Sequence, residues 1–117
     1  MEFEAVIGLE IHVEMKTKSK MFSSGPVTYG EDPNTNVNIV DMGFPGVMPV
    51  VNKQAVINAI RVSHALNMSI DEVVMFERKN YFYSDLPKGY QITQQFRPIG
   101  RDGYLVLQTS QGERKIP

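Results

Sequence analysis

Every odd position from Phe3 to Met15 is apolar: Phe3, Ala5, Ile7, Leu9, Ile11, Val13 and Met15. The even positions are mostly polar, with Glu4, Glu10, His12, Glu14 and Lys16 among them. No other feature constrains the chain as much, because successive strand side chains point to opposite faces. The alternation predicts a β-strand whose odd face, with Leu9, Ile11 and Val13, is buried. Its even face carries Glu10, His12 and Glu14. At about 3.3 Å per residue, side chains at i and i+2 stand roughly 7 Å apart on that face. Such spacing suits carboxylates and an imidazole converging on one ion or one phosphate. It equally suits an ordinary hydrated sheet face, and the pattern alone leaves both open.

The stretch "TKSKMFSSGPVTYGEDPNTNVN" that follows is rich in Gly, Pro, Ser, Thr and Asn, which favour turns, so residues 17–38 read as a long excursion. Excursions of that length in a domain are usually functional or disordered. "IVDMGFPGVMPVV" is apolar but punctuated by Gly43, Pro45, Gly46 and Pro49, and reads as irregular buried chain. "NKQAVINAIRVSHALNM" is the clear helix. Asn52 is placed to cap its start, Val56, Ala59, Ile60, Ser63 and Leu66 form a stripe, and Asn67 tolerates the left-handed stop. His64, on the flank of that stripe, reads as structural or solvated.

"DEVVMFERKNYFYSD" has strand composition. If extended, it puts Glu77, Lys79, Tyr81 and Tyr83 on one face and Arg78, Asn80 and Phe82 on the other. Turn signals at "GRDG" and "SQGE" bracket "YLVLQTS" and predict a β-meander. The chain stops at "RKIP", inside what reads as a strand, so the expectation is a piece of a longer protein.

A formal net charge of −1 over 117 residues leaves no basic footprint for nucleic acid, which argues against strong binding of DNA or RNA by this segment itself. The absence of cysteine excludes disulfides and thiolate metal sites. The acidic, alternating start is unlike a signal peptide, and nothing approaches a membrane-spanning run. A cytoplasmic α+β domain is expected.

Three groups of residues are candidates for chemistry. Glu10, His12 and Glu14 form the first. In the second, "ERKNYFYSDLPKGYQ", the cations Arg78, Lys79 and Lys88 are interleaved with Tyr81, Tyr83 and Tyr90. Cations and phenols so spaced either hold a phosphate or carboxylate, or form a charged strand edge over packed aromatics. The third is "GFPGVMP", whose glycines permit either close approach to a ligand or a packed turn. No nucleotide-binding glycine fingerprint occurs, since "GRDGY" is a turn.

"VIGLEIHVEMKTKSKMF", "GFPGVMPVVNKQAVINAI" and "RKNYFYSDLPKGYQIT" occur in that order and together span nearly the whole chain. In them the sequence resembles the N-terminal part of the GatB/GatE family, the B subunits of aspartyl/glutamyl-tRNA amidotransferases. The resemblance implies that residues 1–117 belong to a catalytic cradle domain like that of glutamine synthetase. The fold would be α+β, a mainly antiparallel sheet with one clear helix. It implies ATP- and Mg²⁺-dependent conversion of Glu-tRNA(Gln) and Asp-tRNA(Asn) to the amides through an acyl phosphate. Ammonia would come from glutamine hydrolysed by an A subunit, with a C subunit and the misacylated tRNA as further partners.

Residue by residue, the resemblance implies that Glu10 and His12 handle metal. Lys79 and Lys88 would face the reaction chamber and ammonia route, with Tyr81, Tyr83 and Tyr90 lining the same cavity. Many family members carry zinc-binding cysteines near the positions of Ser23, Gly25, Asn38 and Asp41. None of the four is Cys or His, so no zinc is expected there. Ser84 replaces a Pro and Glu77 an Asp of the third motif, and both look tolerable. The acidic segment expected to complete the metal site, and the regions that hold tRNA, have no counterpart in the 117 residues. The competing expectation is an inactive interaction module that keeps only the cradle surface. An independent metal-dependent phosphotransferase is disfavoured by too few acidic ligands.

Overall fold

Helix α1 (Lys53–Ala65) organises the best-packed part of the chain in a computed structural model that describes residues 3–117. It starts at Asn52, whose Oδ1 accepts from the backbone N–H of Gln54 at 2.9 Å and of Ala55 at 3.4 Å. Two donors that the first helical turn cannot pair internally are thereby satisfied. The Asn52 side-chain amide also donates to the Ser19 carbonyl at 3.0 Å, pinning the helix start to the preceding loop. The helix stops as the sequence predicts. Asn67 takes φ 54°, and the Met68 N–H returns to the Ser63 carbonyl at 2.9 Å.

The buried face of α1 meets a short antiparallel pair, β1 (Ser69–Ile70) with β4 (Gly100–Arg101). Glycine is required at this contact: a Cβ at Gly100 would stand 2.5 Å from Ser63 Oγ and 2.7 Å from Met68 Sδ. Gly25, Ala55, Ser63 and Ile99 are the buried positions among the described residues. Asp71 fastens the rim. Its backbone N–H donates to the Ile99 carbonyl at 3.0 Å, and its carboxylate accepts from Arg97 Nη2 at 2.7 Å and Nε at 3.1 Å.

β2 (Glu77–Asn80) pairs with β3 (Tyr90–Thr93). β5 (Leu105–Thr109) pairs with β6 (Gly112–Ile116) across a tight turn at Ser110–Gln111. The class is therefore α+β with antiparallel strands. The strands form three separate two-stranded pairs, so the predicted β-meander is reduced to its last hairpin. The strand expected through Tyr83 ends at Asn80, because Tyr81–Gly89 turns back on itself through Leu86 N–H to Tyr83 and Gly89 N–H to Leu86. The "GFPGVMP" stretch is irregular as expected but not buried, with Phe44 and Met48 exposed.

The largest correction concerns the opening segment. Residues 3–15 join no ladder among the described residues, and Leu9, Ile11 and Val13 are 90%, 80% and 67% exposed. Alternation specifies two faces but does not supply a neighbour, and a strand exists only with its ladder partner. The apolar face is formed by the sequence and left uncovered. The whole chain shows the same shortage of cover. It exposes 10218 Å², where a folded monomer of this size exposes roughly 6,400 Å². Its radius of gyration is 18.4 Å against about 13 Å for a self-contained domain.

Candidate functional site: a cationic cleft

Two walls make the clearest site. One is the loop through Gly43. Asn38 Oδ1 accepts from the Val40 and Asp41 N–H groups at 2.9 and 3.2 Å, and the Gly43 and Phe44 N–H groups return to Val40 and Ile39. Gly43 takes φ 69°, a backbone conformation that favours glycine, and a Cβ there would stand 3.4 Å from Lys88, at ordinary contact distance.

The other wall is the β2–β3 ribbon and the turn that carries Lys88. The strand period sends Arg78 and Asn80 to one face and Glu77 and Lys79 to the other. On the Arg78 face, its guanidinium carbon stands 4.4 Å from the centre of the Tyr90 ring, and Lys88 Nζ stands 5.9 Å from it. Between the walls lies a cleft of about 320 Å³. It is lined by Arg78, Lys88, Tyr90 and the loop residues Val40, Gly43 and Phe44, among others, and no carboxylate lines it. Chemically, the cleft presents two cations and a phenol beside glycine backbone, an arrangement that attracts oxyanions.

The structure thus joins Lys88 and Tyr90 with the "GFPG" loop, two sequence candidates that lie far apart along the chain. It does not join the rest. Lys79 leaves from the opposite face of the ribbon. Tyr81 and Tyr83 lie outside the cleft, half-exposed, with ring centres 6.3 Å apart. Glu10 and His12 stand exposed on the unpaired opening segment. Glu14 lines a separate groove with Val13, Met15, Lys20 and Met21. Among the described residues no three His, Cys, Asp or Glu side chains are grouped so as to hold a metal ion.

Two polar centres lie outside the cleft. Asp41 gathers the loop: its carboxylate accepts from Ser23 Oγ at 3.0 Å, the Asn38 N–H at 3.0 Å and Lys20 Nζ at 3.2 Å. Partial burial raises its pKa, but the Asn38, Ser23 and Lys20 donors outweigh this and hold it below the ordinary carboxylate value. Asp71 is held low as well, first by the Arg97 hydrogen bonds and then by the Val73 N–H. Ser23, Gly25, Asn38 and Asp41 are the four positions that the family resemblance sets near zinc-binding cysteines in other members, and hydrogen bonds join them here. Asp71, by contrast, had no sequence signal, since Arg97 lies 26 positions away. Arg78 did have one. The alternation in "ERKN" already separated it from Lys79.

The sequence model of the GatB/GatE catalytic domain matches residues 5–117. The B subunit of the aspartyl/glutamyl-tRNA(Asn/Gln) amidotransferase of Mesoplasma florum is 66% identical over 103 residues, 88% of this chain and 22% of that protein. The corresponding B subunit of Macrococcus caseolyticus is 59% identical over 115 residues, 98% of this chain and 24% of that protein. That of Geobacillus kaustophilus is 53% identical over 116 residues, 99% of this chain and again 24% of its own length. The chain spans about a quarter of the length of these relatives.

Proposed function

We propose a function from one premise: this chain belongs to the GatB/GatE catalytic-domain family. In this reading it is part of the B subunit of a tRNA-dependent amidotransferase working in translation. Misacylated Glu-tRNA(Gln), and Asp-tRNA(Asn), would be converted to the amide through an acyl phosphate, with ammonia derived from glutamine. The A and C subunits and the tRNA are the proposed partners, and the cytoplasm the proposed location. Among the described residues no helix is long and apolar enough to cross a membrane. The observation that carries the reading is the match over residues 5–117. The α+β class with antiparallel pairs is compatible with a cradle-like domain.

ATP and Mg²⁺ are the proposed cofactors. Mg²⁺ requires a near-octahedral oxygen shell, usually with one or two carboxylates, waters and phosphate oxygens. Within this chain Glu10 and His12 offer one carboxylate and one imidazole, both exposed and ungrouped. These residues by themselves do not fit a closed metal site. Lys79 and Lys88 are the proposed charge-bearing groups, placed to offset negative charge that develops on reacting oxygens. Their opposite positions about the β2–β3 ribbon give them separate tasks, with Lys88 in the cleft and Lys79 beyond it.

The second reading, an interaction module without catalysis, applies to the 117 residues taken alone. It is favoured by the 10218 Å² of exposed surface, far more than a self-contained domain of this size exposes. The experiment that tests the catalytic reading is Lys79→Ala in the full-length subunit within its complex. Amide formation should fall by at least about tenfold while glutamine hydrolysis is retained, roughly the loss of one charge-assisted contact to the transition state. Equal loss of both activities, or of neither, contradicts the assignment.

A further inference from the structure

We infer that Arg78, Lys88 and Tyr90 form an oxyanion clamp, and that Arg78, rather than Lys79, is the arginine-type recognition group of this ribbon. The resemblance gives Arg78 no role. The geometry does. The guanidinium carbon stands over the Tyr90 ring, 4.4 Å from its centre. A guanidinium held over an aromatic face gains from the cation–π attraction, and its planar fork of N–H donors matches two oxygens of a carboxylate or phosphate. Contact with the ring also reduces the rotamer freedom that an extended arginine would lose on binding.

Three further observations point to an anion. Neither Arg78 nor Lys88 forms an ion pair among the described residues, whose ion pairs are Lys20–Asp41, Arg97–Asp71 and Arg101–Asp71. The nearest acidic neighbour in sequence, Glu77, is committed elsewhere: its two oxygens accept from the Gln95 and Phe96 N–H groups at 2.8 and 3.1 Å. The opposite wall is the loop through Gly43, Phe44 and Val47, which contributes no carboxylate to the cleft. Two uncompensated cations converging on one phenol in a cleft of about 320 Å³ form a site for a small oxyanion. Phosphate, diphosphate and an amino-acid carboxylate share that chemistry.

The inference stands on the cleft, and rests on the proposed function only for the expectation that the anion is one the reaction carries. The test is calorimetric titration of the full-length protein with inorganic phosphate, with diphosphate and with free glutamate. Wild type is compared with Arg78→Gln, Arg78→Lys and Lys88→Gln. At least one anion should bind, more weakly at higher salt. Arg78→Gln should weaken it by about tenfold, the loss of one charge-assisted hydrogen bond. Arg78→Lys should recover only part, because an ammonium lacks the planar fork.

Preference for phosphate or diphosphate over glutamate identifies a phosphoryl site, and the reverse a carboxylate site. Amide protection in Glu77–Asn80 and Tyr90–Thr93 is measured on each variant, so that loss of the ribbon is distinguished from loss of the clamp. Unchanged anion affinity in Arg78→Gln with the ribbon intact, or full recovery in Arg78→Lys, overturns the inference. So does absence of binding by all three anions to the wild type. Since none of these outcomes depends on amide formation, the clamp and the amidotransferase reading fail separately.

Discussion

The unit built from α1, β1 and β4 and the opening segment Phe3–Met15 are comparably patterned in sequence, yet they end differently. In the first, the capping residue, the stop residue, the glycine contact and the Asp71–Arg97 pair lie close along the chain or converge on one small centre. In the second, the hydrophobic pattern is at least as regular, but its partner is not within the described residues. A helix closes its own hydrogen bonds, whereas a strand depends on a neighbour. The contrast places the structural independence of this chain in residues 52–71 and 97–104, and its dependence in residues 3–15.

The strongest way to break the contrast is to remove the close approach. Gly100→Val pushes side-chain carbons into Ser63 and Met68. The α1–β4 unit should lose about 2–3 kcal/mol, as overpacking of a filled contact does. Thermal unfolding followed by helical circular dichroism checks it, and a variant as stable as the parent contradicts the packing described. A smaller loss, about 1 kcal/mol, is expected for Asn52→Ala, which deletes the cap and the tie to Ser19. Amide exchange in the first turn of α1 should rise while the far end is little changed.

Acid sharpens the comparison further. Asp41 and Asp71 both have folded values lowered below 3.8 by their donors. A carboxylate whose folded pKa is depressed stabilises the fold fully above its unfolded value, and that contribution is lost as pH falls through the folded one. The Asp71-linked unit should therefore weaken progressively below about pH 4, and Asp71→Asn should flatten that dependence. An equally steep acid limb in Asp71→Asn contradicts the role of the Arg97 pair. The smallest effect is expected at Leu9→Ser in the 117-residue chain. At 90% exposure the substitution should change stability by less than about 0.5 kcal/mol.

How much is legible in the sequence follows the same division. Asn52, Asn67 and the stripe between them are readable because a helix is specified by residues within a few positions. The hairpin turn at Ser110–Gln111 is readable for the same reason, as is the side of the ribbon that Arg78 occupies. The meeting of Gly43 with Lys88 is not, because nothing in "GFPG" names its distant contact. Nor is Asp71, whose partner Arg97 is a single unpatterned residue 26 positions on. For Glu10 and His12 the alternation gives the pattern of one strand face, without the ladder that would make that face real.

Hydrogen exchange on residues 3–15 tests the central claim most directly, compared between the 117-residue chain and a full-length protein of the relatives' size. In the short chain these amides should exchange at nearly unprotected rates while Ala59–Ser63 of α1 are retained. In the full-length protein the same amides should become protected as the apolar face of Leu9, Ile11 and Val13 is covered. Protection of residues 3–15 in the short chain equal to that of α1, or no gain of protection in the long one, would contradict the account.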